Sequence, residues 1–379
     1  MEVFPQADLL IEEGKIVAID RQITRGEQCQ VTEAAGLIVA PGYVDIHVHG
    51  SAGCDTMDGT RAAIATMAQF FATRGVTSFC PTTLTMGREE TMQAVRAVKD
   101  CMERPVEGAR PLGVHLEGPY IDVKMKGAQP EQHIRPANTE EYQEFFSLGN
   151  IRMISLAPEI EENRELIGFA RSQGAAVAVG HSSASYEQVA AAVQLGLNQS
   201  THTFNQMQRL HHREPGTVGA ALLLDQIYAQ FVADGVHLHP AIVDMIVRLK
   251  TPKRAVLITD AIRGAGMPDG NYELGGNPII VKEGAVYLAP KPGEKDKPLT
   301  LAGSCLTMDT GVRNLTKFTS ASLPECLEMA TLTPARSIGV SDRKGSLETG
   351  KDADIVLLDT DLNVVSTIVL GEVVHPAER

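Results

Sequence analysis

Apolar runs of strand length recur through the middle of the chain, each closing on polar or glycine-rich residues. They span 43–48, 76–80, 112–116, 151–156, 175–179, 198–201, 227–232 and 255–259. Most are rich in Val, Ile and other β-formers. The sixth, Asn198-Gln199-Ser200-Thr201, is polar and is placed by its position in the series. Between the runs, segments 61–73, 89–102 and 186–195 carry apolar residues at helical spacing. Successive runs begin about 23 to 39 residues apart, room for one strand and one helix per unit. Strands and helices alternating in this way make a parallel sheet, and eight units predict an α/β fold, a closed (β/α)8 TIM-like barrel.

The two ends read differently. Residues 1–40 and 345–379 contain short alternating strands joined by Gly turns, and neither end can close a core alone. They are expected to pair into one small β-sandwich domain, with the barrel occupying 41–344. Within the barrel, 270–300 reads as a β excursion with a charged, proline-containing tip, and 305–338 returns to helical patterning. A chain of 379 residues suits one large domain plus a small accessory one.

Lys plus Arg number 34 against 47 Asp plus Glu, a formal net charge of −13. So acidic a surface repels phosphate backbones and argues against nucleic-acid binding. A phosphorylated ligand would need a local pocket of Arg and His. No run approaches the roughly 18 apolar residues of a membrane span, and the N-terminus lacks a basic and apolar leader pattern. Six scattered cysteines without CxxC spacing argue against a disulfide framework or a Cys-type zinc site. A cytoplasmic protein is the expectation.

The informative residues sit where the strands end. The first run leads into Asp45-Ile46-His47-Val48-His49, the third into His115-Leu116-Glu117-Gly118-Pro119. The fifth ends at His181, the sixth at His202 and the eighth at Asp260. In a barrel these positions converge on the C-terminal face, where the active sites of such folds are built. His47 and His49 at i and i+2 point to one face of a strand. With Glu117, His181 and His202 they make a nitrogen and oxygen donor set suited to a divalent ion, with Asp260 beside it. A single strand-end histidine is more often a hydrogen-bonded core residue, but five or six such residues meeting at one face are hard to explain as packing.

The segment PGYVDIHVHG and the terminal GKDADIVLLD resemble the amidohydrolase superfamily of metal-dependent hydrolases over essentially the whole chain. Within it, HLEGPY, VGHSSA, THTFNQM, REPG, ADGVH, ITDA and LAGS, in this order, are similar to the N-acetylglucosamine-6-phosphate deacetylase family. The resemblance implies a TIM-like barrel with a small β-sandwich from both termini. It implies metal-dependent hydrolysis of the acetamide of N-acetyl-D-glucosamine 6-phosphate, in amino-sugar catabolism. It makes Glu117, His181 and His202 metal ligands and Asp260 the catalytic aspartate. His47 and His49 add a second metal in some members, with Glu117 as the bridge; Zn, Fe, Mn or Co would all suit the donors. Ala128 and Gln129 match a substrate-contacting stretch that often carries His at the second position, so Gln129 is a candidate carbonyl or hydroxyl donor. Asn205 and Gln206 match sugar contacts, and Leu301, Ala302 and Gly303 match a loop closing over the ligand. Arg213 and His237 match phosphate-binding residues supplied partly by a neighbouring subunit, so a homodimer is implied.

Two alternatives stay beside this expectation. A cyclic-amide hydrolase of the dihydroorotase or hydantoinase type would bridge two metals with a carboxylated lysine, whereas Glu117 takes that strand position here. A non-catalytic barrel scaffold would be expected to lose ligands piecemeal, whereas this chain keeps the set.

Overall fold

The eight apolar runs become eight parallel strands in the computed structural model, which describes residues 6–24, 26, 29–290 and 299–376. The strands are Tyr43–Val48, Val76–Pro81, Val114–Glu117, Ile151–Leu156, Ala176–Val179, Gln199–Ser200, Tyr228–Val232 and Ala255–Ile258. The third to eighth are hydrogen-bonded in chain order, and the first pairs with the second. Thr83 N donates to His115 O (3.0 Å), joining the second strand to the third. Asp260 N donates to His47 O (2.9 Å) and His49 N to Ala261 O (2.8 Å), so the end of the eighth strand meets the first and the ring closes. The fold is a TIM-like barrel with a small sheet assembly beside it.

The barrel strands are buried nearly throughout, as a parallel sheet covered on both faces requires, and successive side chains pack into different clusters. In the eighth strand, Val256 and Ile258 pack with Ile46, Met153 and Val232 in one cluster. Ala255 and Leu257 pack with Phe79, Phe231 and the helix residues Phe145, Leu166 and Val243 in another. Helices Arg61–Ala72, Arg88–Glu103 and Tyr186–Gln194 form where the apolar spacing placed them. Thr60 and Ser185 cap the first and third of these by accepting from the backbone N–H groups of Ala63 and Gln188.

One boundary differs from the expectation of a strand at 112–116. Arg110–Pro111 pairs with the second barrel strand and Val114–Glu117 with the fourth, with a break between them. Gly113 lies there at φ 134°, and a Cβ on it would come within 2.7 Å of Asn150 O. No side chain fits that close approach, so glycine divides the run. The polar sixth strand is real but only two residues long. Its polarity has a use: buried Gln199 donates to Ser337 O (3.1 Å) and accepts from Gln230 Nε2 (2.9 Å).

Both ends of the chain contribute to the accessory sheets. Ile38–Pro41, Ile355–Leu358, Val364–Val369 and Glu372–His375 form a four-stranded antiparallel sheet. Hairpin Asp8–Glu12 with Lys15–Asp20 joins it through Ile16 N to Lys351 O (2.9 Å) and Ala353 N to Gly14 O (2.8 Å). Leu9 and Ile11 pack against Ile355, Leu357 and Ile368 between the layers. Buried Lys344 holds Asp352 (3.0 Å) and Asp354 (2.6 Å), and Lys15 adds a second cation on Asp352.

The excursion is a three-stranded antiparallel sheet of Gly270–Leu274, Asn277–Lys282 and Ala285–Leu288. Its expected charged tip at 291–298 lies outside the described residues. Ile279, Val281 and Val286 pack on Ile262 and Ala302, which flank Asp260 and Ser304. The sheet therefore stands over the strand ends. No helix among the described residues is long and apolar enough to cross a membrane.

Candidate metal centre

Six buried side chains meet at the carboxyl ends of the barrel strands. Glu117 lies at their centre. Its Oε1 is 3.0 Å from His202 Nε2, 3.3 Å from His181 Nε2 and 3.5 Å from His47 Nε2. Its Oε2 is 3.2 Å from His49 Nε2. Asp260 Oδ1 is 3.4 Å from both His47 and His49 Nε2. Two groups of three, His47-His49-Glu117 and Glu117-His181-His202, have donor atoms all within 4.8 Å of one another.

The backbone places three of these residues in an unfavourable conformation. His181, His202 and Asp260 have φ of 41°, 27° and 51°, each two residues past the end of its strand. For residues with a Cβ such geometry costs about 1–3 kcal/mol and persists where the surroundings impose it. Here the chain must leave the strand and turn the side chain into the mouth at once.

Hydrogen bonding at the far side of three of the four rings turns Nε2 inward, while buried His202 Nδ1 has no partner among the described residues. His47 Nδ1 donates to Gln230 Oε1 (3.2 Å), His49 Nδ1 to Thr82 O (3.2 Å) and His181 Nδ1 to Met125 O (2.8 Å). With one proton held there, each of these rings, when neutral, presents an Nε2 lone pair to the centre. His181 and His202 Nε2 are only 3.2 Å apart, and buried His47 Nε2 has no hydrogen-bond partner. Nitrogens this close to one another and to a carboxylate need positive charge between them, from protons or from an ion. A divalent ion in each group of three would supply it, and this donor chemistry fits one.

The ionisation of the side chains carries the same demand. Burial pushes the Glu117 carboxyl up, but His47 and hydrogen bonds from His181, His202 and His49 outweigh it and hold the group well below the usual carboxylate range. Burial likewise opposes charge on Asp260, yet His47, His49 and His202 bring it down to about 2. Burial alone would discharge His49, but Asp260 and Glu117 raise it to about 10. His47 goes the other way, down to about 4, because burial wins over the same two carboxylates. Protons and a metal ion compete for such positions, so ion uptake releases protons.

His115 lies one layer below. Its ring meets that of His47 edge-on at 4.6 Å, with Nε2 2.7 Å from Ser155 Oγ and Nδ1 3.3 Å from Thr82 Oγ1. Burial and the neighbouring His47 push its pKa well below the ordinary value. It supports His47 and offers no free nitrogen. The sequence reading missed Gln230, which aims His47. A signal existed, since Gln230 is a polar residue inside the apolar run Tyr228–Val232.

The other singled-out residues divide. Gly303, at φ 64°, lies against the Asp260 backbone, its Cβ position 3.1 Å from Asp260 O, to which Ser304 N also donates (2.8 Å), whereas Leu301 and Ala302 pair with Tyr287 and Val286 of the excursion. Gln206 packs on Gly127, and Ala128 O accepts from Asn277 Nδ2 (3.2 Å). Asn205 Nδ2 is buried with no partner among the described residues. His237 Nδ1 donates to Asp234 Oδ2 (2.7 Å). Arg213 itself is exposed beside His212 (2.7 Å), and no bond joins it to the metal cluster. Gln129, expected to face substrate, instead donates to Glu117 Oε2 (2.6 Å) and accepts from Thr85 N (2.7 Å). His239 is exposed and caps helix Pro240–Lys250, its Nδ1 accepting from Ala241 N (3.2 Å).

Residues 38–374 match the profile of the Amidohydrolase family. The chain is 41% identical to an N-acetylglucosamine-6-phosphate deacetylase of Vibrio furnissii, over 89% of this chain and 83% of that one. It is 37% identical to an N-acetylgalactosamine-6-phosphate deacetylase of Escherichia coli O157:H7, over 96% and 93%. A mutant N-acetyl-D-glucosamine-6-phosphate deacetylase from Mycobacterium smegmatis, solved in complex with N-acetyl-D-glucosamine-6-phosphate, superposes with a TM-score of 0.89 at 30% identity, over 97% and 94%.

Proposed function

The chain belongs to the amidohydrolase family, and on that premise we propose that it hydrolyses the acetamide of N-acetyl-D-glucosamine 6-phosphate to D-glucosamine 6-phosphate and acetate. The observation that carries this reading is the convergence of four imidazole Nε2 atoms on the Glu117 carboxylate at the barrel mouth, with Asp260 against two of them. His181, His202 and Glu117 would hold one divalent ion, and His47, His49 and Glu117 a second. Such an ion lowers the pKa of water from 15.7 to about 7 and polarises an acyl carbonyl.

The protein's own groups then manage protons and position. Asp260, ionised throughout the neutral range, accepts at its carboxylate the proton that the attacking water loses. The same carboxyl returns that proton to the sugar nitrogen as the C–N bond breaks, because an unprotonated amine leaves poorly. Asn205 and Gln206 would hold the sugar, and the 301–303 loop would cover it. Asp234 holds His237 Nδ1, so that the protonated ring would donate from Nε2 to the phosphate. Exposed Arg213 is read as reaching the phosphate of a neighbouring subunit in a homodimer, where its planar fork gives two charge-assisted bonds. A phosphorylated sugar does not cross membranes, which supports a cytoplasmic setting.

The test is acetate release from N-acetylglucosamine with and without the 6-phosphate, by the parent chain and by Arg213→Ala. The phosphate should raise kcat/KM of the parent by about 10² or more, the worth of two charge-assisted bonds. Arg213→Ala should lose most of that gain while leaving the unphosphorylated sugar unaffected. Equal rates on both sugars, or a preference for the galactosamine epimer, would overturn the substrate assignment.

A further inference from the structure

We propose that Gln129 is a positioning residue that fixes the Glu117 carboxylate with Oε2 turned to His49, and so supports the ion that His47 and His49 would hold; this rests on the two-ion reading above. The carboxylate is not symmetric in its surroundings. Oε1 faces His202, His181 and His47, whereas Oε2 faces His49 and Gln129. Rotation about the last bond of a glutamate is soft, so burial alone does not select this orientation. The 2.6 Å bond from Gln129 Nε2 does, because it occupies one lone pair of Oε2 and leaves the other directed toward His49.

Gln129 is itself held at its other end. Its Oε1 accepts from Thr85 N (2.7 Å), its backbone N donates to Lys126 O (2.9 Å), and the side chain is buried. A rigid strut therefore runs from the loop after the second strand to the carboxylate at the end of the third. An amide suits this place because it donates without adding charge to a site crowded with titratable groups. Outer partners of this kind typically contribute about 10–100-fold to metal affinity. Since the anchored oxygen is the one shared with His49, the ion between His47, His49 and Glu117 should feel the loss first.

The metal-loaded protein and its variants are challenged with increasing dipicolinate, and ions per chain are counted by elemental analysis. Gln129→Met keeps length and apolar bulk but removes the donor; Gln129→Ala provides a second donorless form should the first not fold. The parent should hold two ions, and the donorless variants should give up one of them at about 10–100-fold lower chelator, keeping the other as the parent does. Gln129→His restores an N–H donor and should return the lost ion toward parental retention. Parental retention of both ions in a folded donorless variant overturns the proposal, as does equal loss of both. A parent with one ion per chain would sink the two-ion reading separately. The Gln129 assignment would then stand only if that ion is weakened by Gln129→Met and recovered by Gln129→His.

Discussion

Asp260→Asn is expected to lower kcat by about 10²–10⁴-fold, the usual worth of a positioned proton carrier, while the protein stays folded and keeps its ions. The asparagine has nearly the same shape, and the contacts that hold this turn are made by the backbone. Asp260 N donates to His47 O, and Asp260 O accepts from Ser304 N (2.8 Å). What disappears is a carboxylate held down at about 2, able to take a proton and give it back. Substrate binding depends on other residues, so KM should change far less than kcat. Steady-state kinetics with metal content measured on the same sample make the comparison. A variant that keeps more than about a tenth of parental kcat would mean that another group carries the proton.

Glu117→Ala should be more damaging and for a different reason. Four imidazoles and one amide lie within 3.5 Å of this single carboxylate. Its removal takes one donor from each group of three, so ions bind weakly or not at all. Loss of the ion forfeits several kcal/mol of transition-state stabilisation, about 10³-fold in rate or more. Removing one partner of a buried charge cluster also costs about 3–5 kcal/mol of stability. The expected result is a folded, less heat-resistant protein with acetate release at background and metal content well below the parent. Full metal content in this variant would show that the imidazoles alone make the site.

Much of this geometry was readable before the structure. The eight strands fall where short apolar runs end in polar residues, because a strand buried on both faces must be apolar and its C-terminal end opens to the mouth. His47, His49, Glu117, His181, His202 and Asp260 each stand at such an end. The strand register at Gly113 was not readable, since the break comes from the close approach of Asn150 O, a residue distant in sequence. The same limit applies to Gln129 and Gln230. Both act through partners more than ten positions away, Glu117 and His47, so no local spacing could reveal which end of each amide faces which group. Arg213 shows a further limit: its motif suggests a phosphate clamp, but the side chain is exposed beside His212 and makes no bond to the metal cluster.

The most direct test of the metal-dependent deacetylation is acetate release from N-acetylglucosamine 6-phosphate by the purified protein before chelation, after it, and after a divalent ion is added back. Release of one acetate per sugar should fall to background when the ions are stripped and return with the added ion. Turnover that survives complete removal of metal, or a fully loaded protein that releases no acetate, would contradict it.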